Sequence, residues 1–100
     1  MSSSDEPRYR RSGSAISARV LGETVILDLD RNRYTRLNGS AGLLWETLAE
    51  PRSTDQLAAE LIAEYGIESS RADADAHALI AGLRETGLLE EAPGEPAAGR

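Results

Sequence analysis

The sequence predicts an α+β domain in which a three-stranded antiparallel sheet is followed by three helices. Three observations carry this reading. Residues 16–37 hold three short stretches of two-residue alternation separated by turn residues. Residues 41–88 instead repeat apolar side chains every three to four positions, between recognisable cap signals. All the strand-like stretches precede all the helix-like ones. That order favours helices gathered on one side of a small sheet over an alternating, parallel arrangement.

The first strand is residues 16–20 (ISARV), alternately apolar and polar. Gly22-Glu23 can turn the chain. Residues 24–29 (TVILDL) are β-branched and apolar and read as a second, more buried strand, with Val25, Leu27 and Leu29 on one face. Asp30-Arg31-Asn32 forms the next turn, where Asp accepts backbone hydrogen bonds and Asn tolerates the left-handed conformation. The returning strand is RYTRL, residues 33–37. Arg33, Thr35 and Leu37 point one way, Tyr34 and Arg36 the other.

Asn38 suits the N-cap of a first helix, whose apolar face is Ala41, Leu44, Trp45 and Leu48. Glu50-Pro51 ends it. Ser53-Thr54-Asp55-Gln56 is a capping-box pattern opening a second helix that buries Leu57, Ala58, Leu61 and Tyr65. Gly66 fits a left-handed stop, with Ile67 as its apolar companion. A third helix starts near Ser69 or Ser70, has Ala72, Ala76, Leu79, Ile80 and Leu83 on its apolar face, and stops at Gly87, after which Leu88 packs back. There is no internal repeat.

The chain has 100 residues, a net charge of −6 and no cysteine. That length allows one domain. Residues 1–14 (MSSSDEPRYRRSGS) and 91–100 (EAPGEPAAGR) lack an apolar period and are expected to be disordered tails around a folded region at 15–90. Within the first tail, the basic cluster Arg8-Tyr9-Arg10-Arg11 reads as a solubilising run in preference to a docking motif. The absence of cysteine rules out a disulfide framework and a thiolate metal site, and fits a reducing cytoplasm. No apolar run approaches the roughly 20 residues that span a bilayer, so no membrane partner is expected. The acidic balance opposes non-specific binding to phosphate backbones.

Few residues suit catalysis. His77, the single histidine, points away from the apolar face of the third helix and lacks nearby metal-ligand companions. The serines sit in tails, strands or caps, outside any nucleophile-elbow pattern. Asp73 and Asp75, two apart on a helix, do not face each other. Gly39-Ser40-Ala41-Gly42 lacks the lysine and spacing of a phosphate loop. Trp45 and Tyr65 read as core aromatics and Leu43 as an exposed side chain. No cofactor is implied.

A binding role has residues to rest on. The strand at residues 33–37 comes last in the sheet and is expected at its edge. Exposed edges must be charged, covered or used. Arg33 and Arg36 would guard this one against self-pairing and be available to acidic groups on a guest. An extended peptide could add along Arg33, Tyr34, Thr35, Arg36 and Leu37 as a further strand. The third helix, through Asp75, Ala76, Leu79 and Leu83, would form the other wall of that groove. The small residues Ala76, Ala78 and Gly82 would leave room there.

Residues 23–89 resemble the PqqD family, the small peptide-recognition domains of ribosomally made, modified natural products. The stretches that carry the likeness are VILDLDRNRYTRLN, AGLLWETL, STDQL, AEYGI and a last helix closing on GLL. The spacing of Tyr34, Leu37 and Asn38 from Trp45 is the most specific part. The resemblance implies a three-stranded sheet with three helices in a winged-helix-like arrangement. It implies a non-catalytic protein that binds the leader segment of a precursor peptide as an added strand, between the third strand and the third helix. The bound leader would be presented to a modifying enzyme, often a radical-SAM enzyme, or to a leader peptidase in lasso-peptide pathways. This chain departs from the family pattern at Ala41-Gly42, where the order is usually reversed, at Leu43, where a polar residue is common, and at Ala76 and Leu79, where larger apolar residues are frequent.

Two other readings compete with this one. A winged-helix DNA-binding regulator would present Asp73, Asp75 and Glu85 against Arg71 and Arg84, a poor surface for phosphates. A small domain could also dock onto a larger enzyme without binding a leader.

Overall fold

The structure, a computed structural model, describes residues 6–37 and 39–92. The elements run β1 (Arg8–Arg11), β2 (Ala15–Val20), β3 (Glu23–Asp28), β4 (Arg33–Leu37), α1 (Gly39–Thr47), β5 (Arg52–Ser53), α2 (Thr54–Tyr65), α3 (Ser69–Glu85) and β6 (Leu89–Glu91). The main sheet has the order β2-β3-β4 and is antiparallel throughout. A second, smaller antiparallel sheet has the order β5-β1-β6. The fold is α+β, with the expected three strands and three helices and an additional sheet that sequence reasoning missed.

The small sheet corrects the expectation of a disordered N-terminal tail over residues 8–11, and the reading of the basic cluster as solubilising. β1 is its central strand: Tyr9 pairs with Arg52 on one side and Glu91 on the other. Its side chains explain why so polar a stretch is ordered. Tyr9 is buried, with the Arg84 guanidinium 5.2 Å from its ring centroid. Arg10 pairs with Glu90 at 2.9 Å. Arg11 turns the other way, its guanidinium donating to the Trp45 carbonyl and lying 4.6 Å from the Trp45 ring centroid. Glu91, expected in the C-terminal tail, is the last residue of β6. Residues 1–5 and 93–100 of the two expected tails lie outside the described residues.

One core runs between the main sheet and the helices. Trp45, Leu57, Leu61, Ala72, Ala76 and Ile26 are fully enclosed in it. The inner face of β3 is Thr24, Ile26 and Asp28, whereas Val25, Leu27 and Leu29 lie on the outer side. Both faces alternate acceptably in sequence, so contacts from outside the strand decide between them. A Cβ on Gly42 of α1 would sit 3.2 Å from Thr24 Oγ1, so helix and sheet approach closely at that point. Asp28 is drawn inward by the turn described below.

The helix signals hold at most positions. Ser53 Oγ accepts from the Gln56 N–H and the Gln56 side chain accepts from the Ser53 N–H, closing the capping box. Gly66 ends α2 at φ 68°, donating to the Ile62 carbonyl. Gly87 follows α3 at φ 82°, and the Leu88 N–H returns to the Leu83 carbonyl with Leu88 buried behind it. The expected Asn38 cap lies outside the described residues. Two apolar assignments change. Tyr65, at the last turn of α2, projects past the core and is half exposed. Leu43 is partly buried against the core, in a cleft that also has Tyr65, Glu64 and Arg19 on its walls.

The β3–β4 turn is organised by Asp28, not by Asp30. Asp28 Oδ1 accepts from the N–H groups of Asp30 (3.1 Å) and Arg31 (3.3 Å) and from the Ser14 hydroxyl (3.4 Å). Its Oδ2 pairs with Arg31 Nη1 at 3.1 Å. Asn32 takes the left-handed conformation, φ 54°. The Arg31 guanidinium lies over Gly87, where a Cβ would collide with it. Burial alone would raise the Asp28 pKa, but hydrogen bonds and charge from Arg31, with the Asp30 N–H, outweigh it and hold the carboxyl below its ordinary value.

Two measurements check this architecture. Tyr9→Ala should cost about 3 kcal/mol in urea denaturation; an unchanged midpoint would show that β1 adds nothing to the fold. The Asp28 contribution is fully present above the ordinary aspartate pKa and is lost as pH falls through the lower folded value. Asp28→Asn should therefore flatten the stability curve over that acidic window, and parallel curves for the two proteins would refute the linkage.

Candidate functional site

β4 is an outer strand of the main sheet. It pairs with β3 alone, through Arg33 with Asp28, Thr35 with Ile26 and Leu37 with Thr24, and no described strand occupies its other side. The predicted open edge is therefore where the sequence placed it. Directly paired residues project to the same face. Arg33, Thr35 and Leu37 thus share the side of Asp28, Ile26 and Thr24, towards the helices. Along this row exposure falls, from open Arg33 through partly buried Thr35 to buried Leu37. Tyr34 and Arg36 lie on the outer face, where Arg36 Nε pairs with Glu23 Oε1 at 3.2 Å.

A narrow cleft of about 100 Å³ runs beside this row. Asp28, Arg33, Tyr34 and Thr35 line it from the sheet, and Thr86 and Leu88 from the end of α3 and the turn after it. Thr86 and Leu88 were not among the residues expected from sequence. Helical spacing was the available signal: Asp75, Leu79, Gly82 and Thr86 recur at intervals of four, three and four, and so form one stripe on α3. The other flank, with Ser69, Ser70 and Asp73, borders α2 instead. The stripe borders the cleft beside β4 at its C-terminal end, through Thr86.

This geometry separates the expected wall residues. Leu79 is partly buried against the core, and Asp75 is exposed, 3.8 Å from Arg71. Ala76 and Leu83 are core residues, closed to solvent. They sit on the centre of the apolar face that α3 turns to the core and are not among the residues lining the cleft. Gly82 leaves open space where a side chain would stand.

His77 is exposed, its Nε2 3.8 Å from Asp73 Oδ1. No group of three or more His, Cys, Asp or Glu able to hold a metal occurs among the described residues. Trp45 is fully buried and its indole N–H donates to Ser17 Oγ at 2.8 Å, which confirms a core role. Among the described residues, no strand pairs the outer backbone groups of β4, a cleft lies beside them, and the exposed Arg33 stands at one end. None of the described helices is long and apolar enough to cross a membrane.

Among solved structures, the chain is similar to TbiB1 in complex with the TbiA(beta) leader peptide, with a TM-score of 0.77 and 24% identity over 85% of this chain and 99% of that one. It is similar to lasso peptide synthetase B1 complexed with the leader peptide, with a TM-score of 0.74 and 29% identity over 82% and 96%. The PqqD truncation of Methylobacterium extorquens PqqCD, a functional and stand-alone recognition element for ribosomally synthesized and post-translationally modified peptides, matches with a TM-score of 0.70 and 22% identity over 90% and 94%. No curated protein sequence matches significantly. The family model for coenzyme PQQ synthesis protein D matches residues 23–89, two-thirds of the sequence, and takes in the main-sheet hairpin and all three helices. The chain belongs to the PqqD family.

Proposed function

We propose that this chain binds the leader segment of a ribosomally made precursor peptide as a strand added to β4, in the trough between β4 and α3. It performs no catalysis itself and presents the bound leader to a modifying enzyme, of the radical-SAM class or a leader peptidase. The observation that carries the reading is the open β4 edge, with a cleft beside it that Thr86 and Leu88 close at the end of α3. An edge strand supplies alternating N–H and C=O groups to any extended segment, and each backbone hydrogen bond gained contributes about 1 kcal/mol net. Side-chain selectivity then comes from Arg33 and Thr35 on the sheet and from Leu79, Asp75 and Thr86 on the helix. The leader-peptide complexes of the similar lasso peptide synthetase B1 and TbiB1 support the same occupant.

DNA binding is disfavoured on charge. The net charge is −6, and α3 carries Asp73, Asp75 and Glu85 against Arg71 and Arg84. Arg71 is already beside Asp75.

The test is a fluorescence-anisotropy titration with the labelled leader of the precursor peptide encoded nearest to this protein, run beside a labelled DNA duplex. Saturable binding of the leader, at micromolar concentration or tighter, and none of the duplex is expected. Salt-sensitive binding of the duplex alone would refute the proposal. Leu79→Asp should weaken leader binding at least about tenfold, or ~1.4 kcal/mol, with an unchanged circular dichroism spectrum. Undiminished affinity in that folded variant would remove α3 from the site.

A further inference from the structure

Three arginines lie on or beside the β4 edge, and the structure gives them different employment. Arg31 is engaged with Asp28 and lies over Gly87. Arg36 is engaged with Glu23 on the outer face of the sheet. Arg33 makes no ion pair among the described residues. Its cross-strand partner is Asp28, but both oxygens of that carboxylate are already occupied by Arg31, Asp30 and Ser14. Arg33 is exposed, faces the helix side of the sheet and borders the cleft beside β4.

Apart from Asp28, the other residues on the cleft are Tyr34, Thr35, Thr86 and Leu88, none of them a charged side chain. Leu88 is apolar, and the Thr86 hydroxyl already donates to the carbonyls of Gly82 and Leu83. A guanidinium without a counter-charge, at one end of an open strand on a chain of net charge −6, fits a ligand that brings its own carboxylate.

Resting on the strand-addition reading, we propose that Arg33 is a specificity-determining residue that selects a guest segment with an acidic side chain on its inward face. In an added strand, inward-facing side chains recur every second residue, about 6.6 Å apart. The neighbouring inward side chain falls beside Thr35, a partly buried position where an apolar group suits the surface. The inward face of the guest therefore reads acidic at the Arg33 end and apolar at the next inward position.

The test uses the labelled leader of the nearest encoded precursor, and copies in which each Asp or Glu is changed singly to its amide. Arg33→Gln should weaken binding about threefold to tenfold, and Arg33→Glu more. Arg8→Gln, an equal loss of charge on β1, should leave affinity unchanged. One amide copy should weaken binding to the native protein by the same factor and lose nothing further with Arg33→Gln. Added salt should weaken the native complex more than the Arg33→Gln complex. Equal affinity for the native, Arg33→Gln and Arg33→Glu proteins overturns the assignment, as does a tight-binding leader without an acidic residue. If Leu79→Asp still weakens binding in that case, the strand-addition reading survives and the charge assignment alone falls. A leader that does not bind the native protein at all overturns both.

Discussion

Trp45 is the point on which the two sheets and the helices depend. It is fully enclosed, yet polar groups from two strands reach it. Its indole N–H is satisfied by Ser17 on β2, in the main sheet. Its carbonyl and its ring face are both engaged by Arg11 on β1, in the small sheet. A single residue of α1 thus ties together elements from both sheets. Burial pulls the Arg11 guanidinium below its ordinary pKa while Glu46 opposes that, and it remains a cation at neutral pH. The cost of partly burying that charge is offset by the carbonyl and the ring, which stabilise a cation and would do little for a neutral side chain.

The readable parts of the fold were those fixed by local chemistry. Ser53 and Gln56 cap each other across one helical turn, and Gly66 needs only its own left-handed backbone. Asn32 is similar. Such features depend on a few neighbouring residues, so the sequence displays them. β1 could not be read that way. RYRR has one apolar side chain, and what orders it comes from Arg84, Glu90 and Trp45, all distant in sequence. The inner face of β3 was ambiguous for a related reason. Two of its three residues, Thr24 and Asp28, are polar, and they face inward because of Gly42 on one side and the turn on the other.

The candidate site divides along the same line. An edge strand can be inferred from chain order, because a strand that ends a hairpin and hands over to helices has one neighbour. The rows on β4 followed from alternation and match the burial along it. The helix wall was only half legible. A helical wheel identifies the buried face of α3 but does not say which flank meets the sheet. Ala76 and Leu83 were assigned to the wall although they belong to the core, while Thr86 and Leu88 were overlooked because they lie at and beyond the helix end.

The small sheet also determines how this domain can be joined to others. β1 and β6 are antiparallel neighbours, and the Ala92 N–H donates to the Arg8 carbonyl at 2.8 Å. The path into the first strand and the path out of the last therefore meet at one corner of the molecule. A tether attached before Arg8 or after Ala92 leaves from nearly the same place. A fusion in either order, or an insertion into a loop of another protein, would hang the domain from one hinge point and leave its register to the host almost unaltered.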